Sequence, residues 1–86
     1  MTPGDRLRAV ANLVDGERAK QHGNYRELHE DVAKVWEVRL GFSVTPADVA
    51  WCMCALKLVR GCHGRANADD PADLLGYGAI WSELQD

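Results

Sequence analysis

The sequence has none of the long apolar stretches or strongly basic segments that membrane proteins and nucleic-acid-binding proteins require. Its longest apolar run, residues 49–56, is far shorter than the roughly 18–20 residues that span a bilayer. Near the N-terminus it carries charges at Asp5, Arg6 and Arg8, where a signal peptide would become apolar. The net charge of −3 argues against the basic face that binds a DNA or RNA polymer. We therefore expect a cytoplasmic protein that has neither a membrane nor a nucleic-acid polymer as its partner.

The number and the spacing of the cysteines favour neither disulfides nor a metal site. There are three cysteines, an odd number, and Cys52 and Cys54 lie in the most apolar part of the chain. Because they are two residues apart on a predicted helix, their thiols would point to nearly opposite faces and could not bind one ion. Cys62 and His63 lack two further ligands at zinc spacing. No metal and no cofactor are therefore predicted.

The chain has too few residues to enclose a large core. Its 86 residues form one predicted domain, residues 1–86, and a domain of this size buries only about 60–65% of its unfolded surface. Even so, 47% of the residues are hydrophobic and three are tryptophan. We therefore expect a homo-oligomer, in which subunit contacts cover apolar surface that the core of one chain cannot.

Capping signals divide the sequence into four predicted helices, which makes the fold class all-α, a compact helical bundle. In chain order the predicted N-caps are Thr2, Asn24, Thr45 and Asp70, and the predicted ends of the first three helices are Gly23, Leu40 and Arg60. Proline directly follows three of these caps, which is its favoured position in a helix. Asp15 and Gly16 are expected to break or kink the first helix.

The apolar residues of the second and third helices predict different environments. On the second helix they form one stripe at helical spacing, made up of Tyr25, Leu28, Val32, Val35 and Trp36. On the third helix, Lys57 is the only charged residue between Val49 and Val59. A helix that is apolar nearly all round is expected to be central and packed on several sides.

Three charged residues fall on helix faces that should be buried. Asp73 is in line with Tyr77 on the fourth helix, and Lys57 and Arg60 are one turn apart on the third. A buried charge without a partner costs several kcal/mol, so these groups need partners. Either Asp73 forms a structural salt bridge with Arg60 or Lys57, or the two cations face a pocket and bind an anion such as phosphate.

A second group of polar residues lies at the junction of the first two helices. His22 ends the first helix, and Tyr25 and His29 lie at the start of the second, where backbone N–H groups favour an anion. Arg18, one turn before His22, would add a cation. The alternative is structural: a His-Gly helix stop, with His29 as a hydrogen-bonded core residue.

Two acidic pairs are similar to the ExxE…ExxD motif of MazG-type nucleotide pyrophosphohydrolases, whose carboxylates hold magnesium. The pairs are Glu27 with Glu30 and Asp70 with Asp73. Glu27 and Glu30, however, lie opposite the apolar stripe and beside Lys34, which is typical of a solvent-exposed face. The gap between the pairs is also longer than in that family. A binding protein is therefore favoured over an enzyme, and the pyrophosphohydrolase stays an alternative.

The sequence as a whole resembles a family of small phage- and prophage-encoded proteins with a domain of unknown function. The resemblance covers roughly residues 16–84 and is carried by the strings ERAKQHGNYRELHEDVAKVW, TPADVAWCMCALKLVRG and DDPADLLGYGA. They match the family pattern ER…HGDY…NH…A..W, TP.DVA..M..LK.AR and DN..D..GY.A. Two departures stand out: Asn24 is present where the pattern has Asp, and Leu28 where it has Asn.

The resemblance implies a phage origin and does not by itself imply an activity. It marks several of the polar residues that the burial arguments single out independently. We predict a phage protein of the host cytoplasm that binds a phosphorylated small molecule, a nucleotide or cyclic-nucleotide signal of host immunity, and sequesters it. The predicted ligand-binding residues are Arg18, His22, Tyr25, His29, Lys57, Arg60, Asp73 and Tyr77.

In this prediction the cations neutralise phosphate, a tyrosine stacks on a base, and the remaining polar groups form hydrogen bonds. Two alternatives stay open. One is the metal-dependent pyrophosphohydrolase. The other is a protein that binds and inhibits a host enzyme, suggested by the five acidic residues and the lack of lysine and arginine in residues 66–86.

Overall fold

The computed structural model describes residues 1–17, 20, 23–63 and 69–85. These described residues contain four α-helices: α1, Pro3–Asn12; α2, Tyr25–Leu40; α3, Pro46–Cys62; and α4, Asp69–Glu83. A π-helical segment, Leu13–Glu17, continues α1 and contains the Asp15-Gly16 dipeptide that predicts a break or kink there. The all-α prediction is confirmed. Within the described ranges, no helix is long and apolar enough to cross a membrane.

The predicted helix starts of α1, α2 and α3 are confirmed by their capping hydrogen bonds. Thr2 Oγ1 accepts the N–H of Asp5 at 3.1 Å, and Thr45 Oγ1 accepts the N–H of Asp48 at 3.0 Å. Each aspartate reaches back to the N–H of its threonine, which completes a capping box. Asn24 caps α2 with its side-chain oxygen. These bonds satisfy backbone donors that the first helical turn leaves without partners.

The start of α4 differs from the sequence prediction. The helix begins at Asp69 and includes Asp70, which the sequence predicts as the N-cap. Asp70 is buried and lies 3.7 Å from Arg60 on α3. The attraction of that cation supplies the buried carboxylate with a tertiary contact that a capping motif does not reveal. In addition, α3 continues through Gly61 to Cys62, two residues beyond its predicted end.

Helix α4 packs against both α3 and α1, whereas α2 packs against α3. Gly76 allows α1 to come close to α4, because a Cβ at this position would lie 3.3 Å from Val14 Cγ2. A small apolar cluster of Ala33, Val44 and Val49 joins α2 to α3 through the connecting segment. The N–H of Val44 donates to Glu37 Oε1 at 2.9 Å, which fixes that segment on α2.

Two predicted apolar faces are placed differently from the sequence prediction. On α2 the buried residues are His29 and Ala33, and Val32 and Trp36 of the predicted stripe pack against the apolar cluster, while Val35 is 66% exposed; the buried face is therefore rotated by part of a turn from the predicted stripe. His29 donates a hydrogen bond to the backbone carbonyl of Tyr25, and this bond offsets the free-energy cost of burying the imidazole. On α3 the helix packs against both α2 and α4, as its predicted central position requires, but only Val49 and Ala50 are buried and much of its apolar surface stays exposed.

Candidate functional site

A cleft of about 370 Å³ lies where the π-helical segment at the end of α1, the start of α2 and the middle of α4 meet. This volume is within the range of about 300–1,000 Å³ that small-molecule pockets occupy. Apolar walls come from Val14, Leu28 and Ile80. Gly76 forms part of the lining, and its missing side chain leaves room between α1 and α4. The cleft therefore depends on a close helix contact as well as on its side chains.

Three aromatic or imidazole rings line the cleft, and two of them are in contact. The ring centroids of His29 and Tyr77 are 6.4 Å apart, with an angle of 60° between the ring planes. Such tilted contacts are favoured by the charge distribution of aromatic rings. Tyr25 lies one helical turn before His29 and also lines the cleft. The arrangement offers ring faces and edges to a planar ligand.

The hydrogen bond of His29 determines which of its ring nitrogens can interact with a ligand. His29 Nδ1 lies 2.7 Å from the carbonyl oxygen of Tyr25. A carbonyl oxygen only accepts, so Nδ1 carries the hydrogen and donates it. In the neutral ring, Nε2 is consequently the acceptor. His29 as a whole is buried, with 4% of its surface exposed.

The start of α2 has fewer backbone N–H groups available to an anion than the sequence suggests. Gly23 has the left-handed conformation expected at a helix end, with φ of 73°. Asn24 Oδ1, however, accepts the N–H of Arg26 at 2.8 Å and that of Glu27 at 3.4 Å. Two of the backbone donors that could bind an anion are therefore already occupied by the cap.

A second polar cluster joins α3 to α4 by two ion pairs. Lys57 Nζ lies 3.2 Å from Asp73 Oδ2, and the two side chains are only 13% and 14% exposed. Arg60 lies 3.7 Å from Asp70, also across the helix interface. Of the two alternatives that the sequence left open for Asp73, the structure shows the salt bridge with Lys57. The ion pair of Asp70 was not predicted, because its Asp-Pro sequence resembles an N-cap.

A matching spacing on the two helices could have indicated both pairs. Lys57 and Arg60 are three residues apart on α3, and Asp70 and Asp73 are three residues apart on α4. Two cations and two acids that repeat by about one turn can face each other across an interface.

The structure divides the predicted ligand residues into two groups. Tyr25, His29 and Tyr77 line the cleft, whereas Lys57, Arg60 and Asp73 form the ion-pair cluster. Arg18 and His22 lie outside the described residues. Sequence analysis did not identify Leu28 or Ile80 as parts of a site, because apolar residues have no chemical signature until the helices are placed.

The acidic residues of the pyrophosphohydrolase alternative are also separated. Glu27 and Glu30 are exposed on α2, whereas Asp70 and Asp73 face the cations of α3. Among the described residues, no group of three or more His, Cys, Asp or Glu side chains is placed to hold a metal ion. The four carboxylates are therefore not arranged around a common point in this structure.

The two departures from the family pattern lie at the start of α2 and in the wall of the cleft. Asn24 caps α2, a role that aspartate performs equally well, so Asp and Asn are interchangeable there on structural grounds. Leu28 lines the cleft, where the pattern would place the amide of asparagine. The first departure preserves the helix start, and the second makes the cleft more apolar.

Comparison with known proteins identifies the family. Residues 5–85 match the family described as "Domain of unknown function (DUF6378)", and the chain belongs to it. The chain is 31% identical to the "Gene 55 protein" of Mycobacterium phage L5 over 80 residues, which are 92% of this chain and 51% of that protein. It is also 31% identical to the "Gene 55 protein" of Mycobacterium phage D29 over 71 residues, 83% of this chain and 47% of that protein.

The chain thus spans about half the length of the curated relatives that it matches. No solved structure shows significant similarity to it. The resemblance to a small phage-encoded family without an assigned function, predicted from the motifs, is confirmed.

Proposed function

We propose that this member of the family binds a nucleotide-like small molecule in the cleft between α1, α2 and α4 and sequesters it without converting it. The observation that carries the proposal is the contact between His29 and Tyr77 inside a cleft of about 370 Å³ that Tyr25 also lines. In a phage protein, the ligand would be a nucleotide or cyclic-nucleotide signal of host immunity.

The rings that line the cleft favour stacking on the base of a nucleotide as the main binding interaction. An aromatic side chain that stacks on a base contributes about 1–3 kcal/mol, and it does so for any base. His29 Nε2 would accept a hydrogen bond from an exocyclic amine or an imide N–H, which distinguishes one base edge from another. The apolar walls around Leu28 and Ile80 would strengthen this hydrogen bond by excluding water.

The ion pairs change the assignment of the predicted phosphate ligands. Lys57 and Arg60 face carboxylates across the α3–α4 interface, and releasing Lys57 from Asp73 to bind phosphate would break the ion pair of a carboxylate that is only 14% exposed. We therefore assign Lys57 and Arg60 to the packing of α3 against α4 rather than to ligand binding. Arg18, which precedes Gly23 in the sequence, remains the predicted phosphate ligand, and His22 remains a predicted hydrogen-bonding residue.

The test compares the ligand affinity of the parent protein with that of variants of Tyr77. Nucleoside phosphates, cyclic dinucleotides and ADP-ribose derivatives are screened by thermal shift, and hits are measured by calorimetry. Tyr77→Leu should weaken binding by between about fivefold and a hundredfold, which corresponds to the loss of one stacking contact. Tyr77→Phe keeps the ring and should bind within about threefold of the parent if stacking dominates. Equal binding by the Leu and Phe variants would refute the stacking role.

Recovery of the ligand separates sequestration from catalysis. The protein is incubated with each hit and Mg²⁺ or Mn²⁺, denatured by heat, and the released compound is identified by chromatography. Intact ligand supports sequestration. Conversion of the ligand that disappears in Glu27→Gln would instead support the pyrophosphohydrolase. If none of the screened compounds binds, the proposed function is refuted.

The departure at Leu28 provides a test of selectivity. Leu28→Asn restores the side chain of the family pattern and adds a hydrogen-bonding amide to the wall of the cleft. We expect the order of affinities among the ligands to change, while the stability of the protein changes little because Leu28 is 46% exposed. An unchanged order would place the ligand elsewhere.

A further inference from the structure

One side of α3 presents an apolar surface to solvent. The residues of this α3 outer face are Trp51, Cys52, Ala55, Leu58, Val59 and Cys62. Leu58, Val59 and Trp51 are 59%, 55% and 54% exposed, and the face contains no charged residue. Cys52, Ala55, Val59 and Cys62 follow the spacing i, i+3, i+7, i+10, which is the heptad spacing of paired helices.

The chain by itself also exposes more surface than a folded protein of its size. Its accessible surface is 6333 Å², whereas a monomer of 9.5 kDa is expected to expose about 5,000 Å². Its radius of gyration is 13.7 Å, against about 12 Å for a compact domain of 86 residues. The excess of about 1,300 Å² is more than the roughly 800 Å² that each partner buries in a standard interface.

We propose that the α3 outer face binds the same face of a second copy of this chain, with the two α3 helices antiparallel. The core of one chain supports this choice of partner, since no large side chain among the described residues is fully buried. A chain with so small a core gains stability from a partner that is present whenever it is synthesised, and a second copy meets that condition.

The sequence of the face is complementary to itself in the antiparallel direction. A two-fold axis that passes midway between Ala55 and Val59 sets Ala55 against Val59 of the partner subunit, a small residue against a larger one. The same axis is midway between Cys52 and Cys62, so each Cys52 lies level with Cys62 of the partner subunit. Alternation of small and large side chains is what lets two helices pack closely.

A parallel pair would pack less well and would bring like charges together. It would set Ala55 against Ala55 of the partner subunit, leaving a gap, and Leu58 against Leu58 of the partner subunit. It would also bring the two exposed Asp48 side chains, which lie one turn before Cys52, towards each other. Antiparallel helices avoid this repulsion and align their dipoles in opposite directions.

The first test is the mass of the protein in solution. Sedimentation velocity of the parent at micromolar concentration should give twice the chain mass of 9.5 kDa. Val59→Glu introduces a charge at the centre of the face and should give the single-chain mass. The matched control is Val38→Glu, because Val38 lies on α2 and is 87% exposed; this variant should remain dimeric.

The second test identifies the face and the direction of the helices by cross-linking. All proteins carry Cys54→Ala, so that Cys52 and Cys62 are the remaining thiols, and a short bismaleimide reacts with one thiol from each subunit. An antiparallel pair predicts a cross-link in a mixture of Cys52→Ala and Cys62→Ala proteins. Neither variant should cross-link alone, because each would then present its single thiol far from the same thiol of the partner subunit.

Each outcome decides the proposal. A single-chain mass for the parent throughout the micromolar range would overturn it, and would leave the face to a different protein. A dimer that Val59→Glu does not dissociate would overturn the face, and cross-linking of Cys62→Ala alone would overturn the antiparallel direction. Should circular dichroism show that Val59→Glu is unfolded, the mass of the parent and the cross-linking pattern of the folded cysteine variants give the answer.

Discussion

The ion pair between Lys57 and Asp73 predicts a large loss of stability when the cation alone is removed. Lys57→Met keeps most of the apolar stem of the side chain and removes its charge. Removing one partner of a buried ion pair costs about 3–5 kcal/mol, whereas an exposed pair contributes only about 0.2–1 kcal/mol. With exposures of 13% and 14%, this pair is close to the buried limit, so we expect a loss of about 3 kcal/mol.

This loss is large for a chain of 86 residues. A protein of this length typically has a free energy of unfolding of about 4–13 kcal/mol. A loss of 3 kcal/mol should lower the melting temperature by about 12 °C or more. Denaturant unfolding and thermal melts are measured at one fixed protein concentration, because self-association makes the melting temperature depend on concentration.

Two further variants show whether the loss comes from the ion pair. Asp73→Asn added to Lys57→Met removes the buried negative charge and should restore at least about 1.5 kcal/mol. Lys34→Met is the matched control, since Lys34 lies 3.9 Å from Asp31 and both side chains are 76% exposed. It should change the stability by less than about 0.5 kcal/mol.

The opposite result would support the phosphate role that the sequence predicts for Lys57. In that case Lys57→Met would leave the free energy of unfolding within about 0.5 kcal/mol of the parent. The same variant would weaken ligand binding by about tenfold or more, as expected for the loss of a charged hydrogen bond. The reasoning that assigns Lys57 to the packing of α3 against α4 would then be wrong.

Three other predictions follow from single contacts. Gly78→Ala should raise the free energy of unfolding by about 0.5–1 kcal/mol, because no atom lies within 4 Å of the added Cβ. Gly76→Ala should stabilise the protein less, or destabilise it, because its Cβ would lie 3.3 Å from Val14 Cγ2; thermal melts of both variants measure the difference. Glu37→Ala should cost about 1.5 kcal/mol in denaturant unfolding through the loss of the bond to the Val44 N–H, and Glu37→Gln, which keeps the acceptor, should cost less. Burial raises the pKa of the Cys54 thiol, so at pH 8, in the single-chain Val59→Glu form, Cys54 should react with iodoacetamide more slowly than Cys52 and Cys62, as peptide mass spectrometry can measure.

Local signals predicted most of the helix boundaries, because a helix start depends on residues that are close in sequence. Thr2, Asn24 and Thr45 each bond to a backbone N–H two or three residues later, so their role can be read without knowing the fold. Asp70 has the same local sequence, yet it is buried and faces Arg60. Its role depends on another helix, and for that reason capping rules misplace the start of α4.

Burial was harder to predict, because hydrophobicity alone does not determine which face of a helix is covered. His29 is buried since the carbonyl oxygen of Tyr25 accepts its hydrogen, and that bond depends on the rotamer of the histidine. Val35, in contrast, belongs to the predicted stripe and stays largely exposed. The cleft illustrates the same limit: motifs suggest Tyr25 and Tyr77 separately, and only the packing of α4 brings both to one cavity.

The cleft and the α3 outer face use different parts of the chain, and this separation predicts how ligand binding depends on assembly. Gly76 and Tyr77 of α4 line the cleft together with residues of α1 and α2, and no residue of the α3 outer face lines it. A dimer should therefore bind one ligand per chain, and each cleft should be complete within its own chain. Folded Val59→Glu protein should bind a ligand with the affinity of the parent, as calorimetry can measure. Coupling between two sites requires that binding at one changes a structure on which the other depends, so a loss of affinity in the single-chain form would show that the partner subunit shapes the cleft.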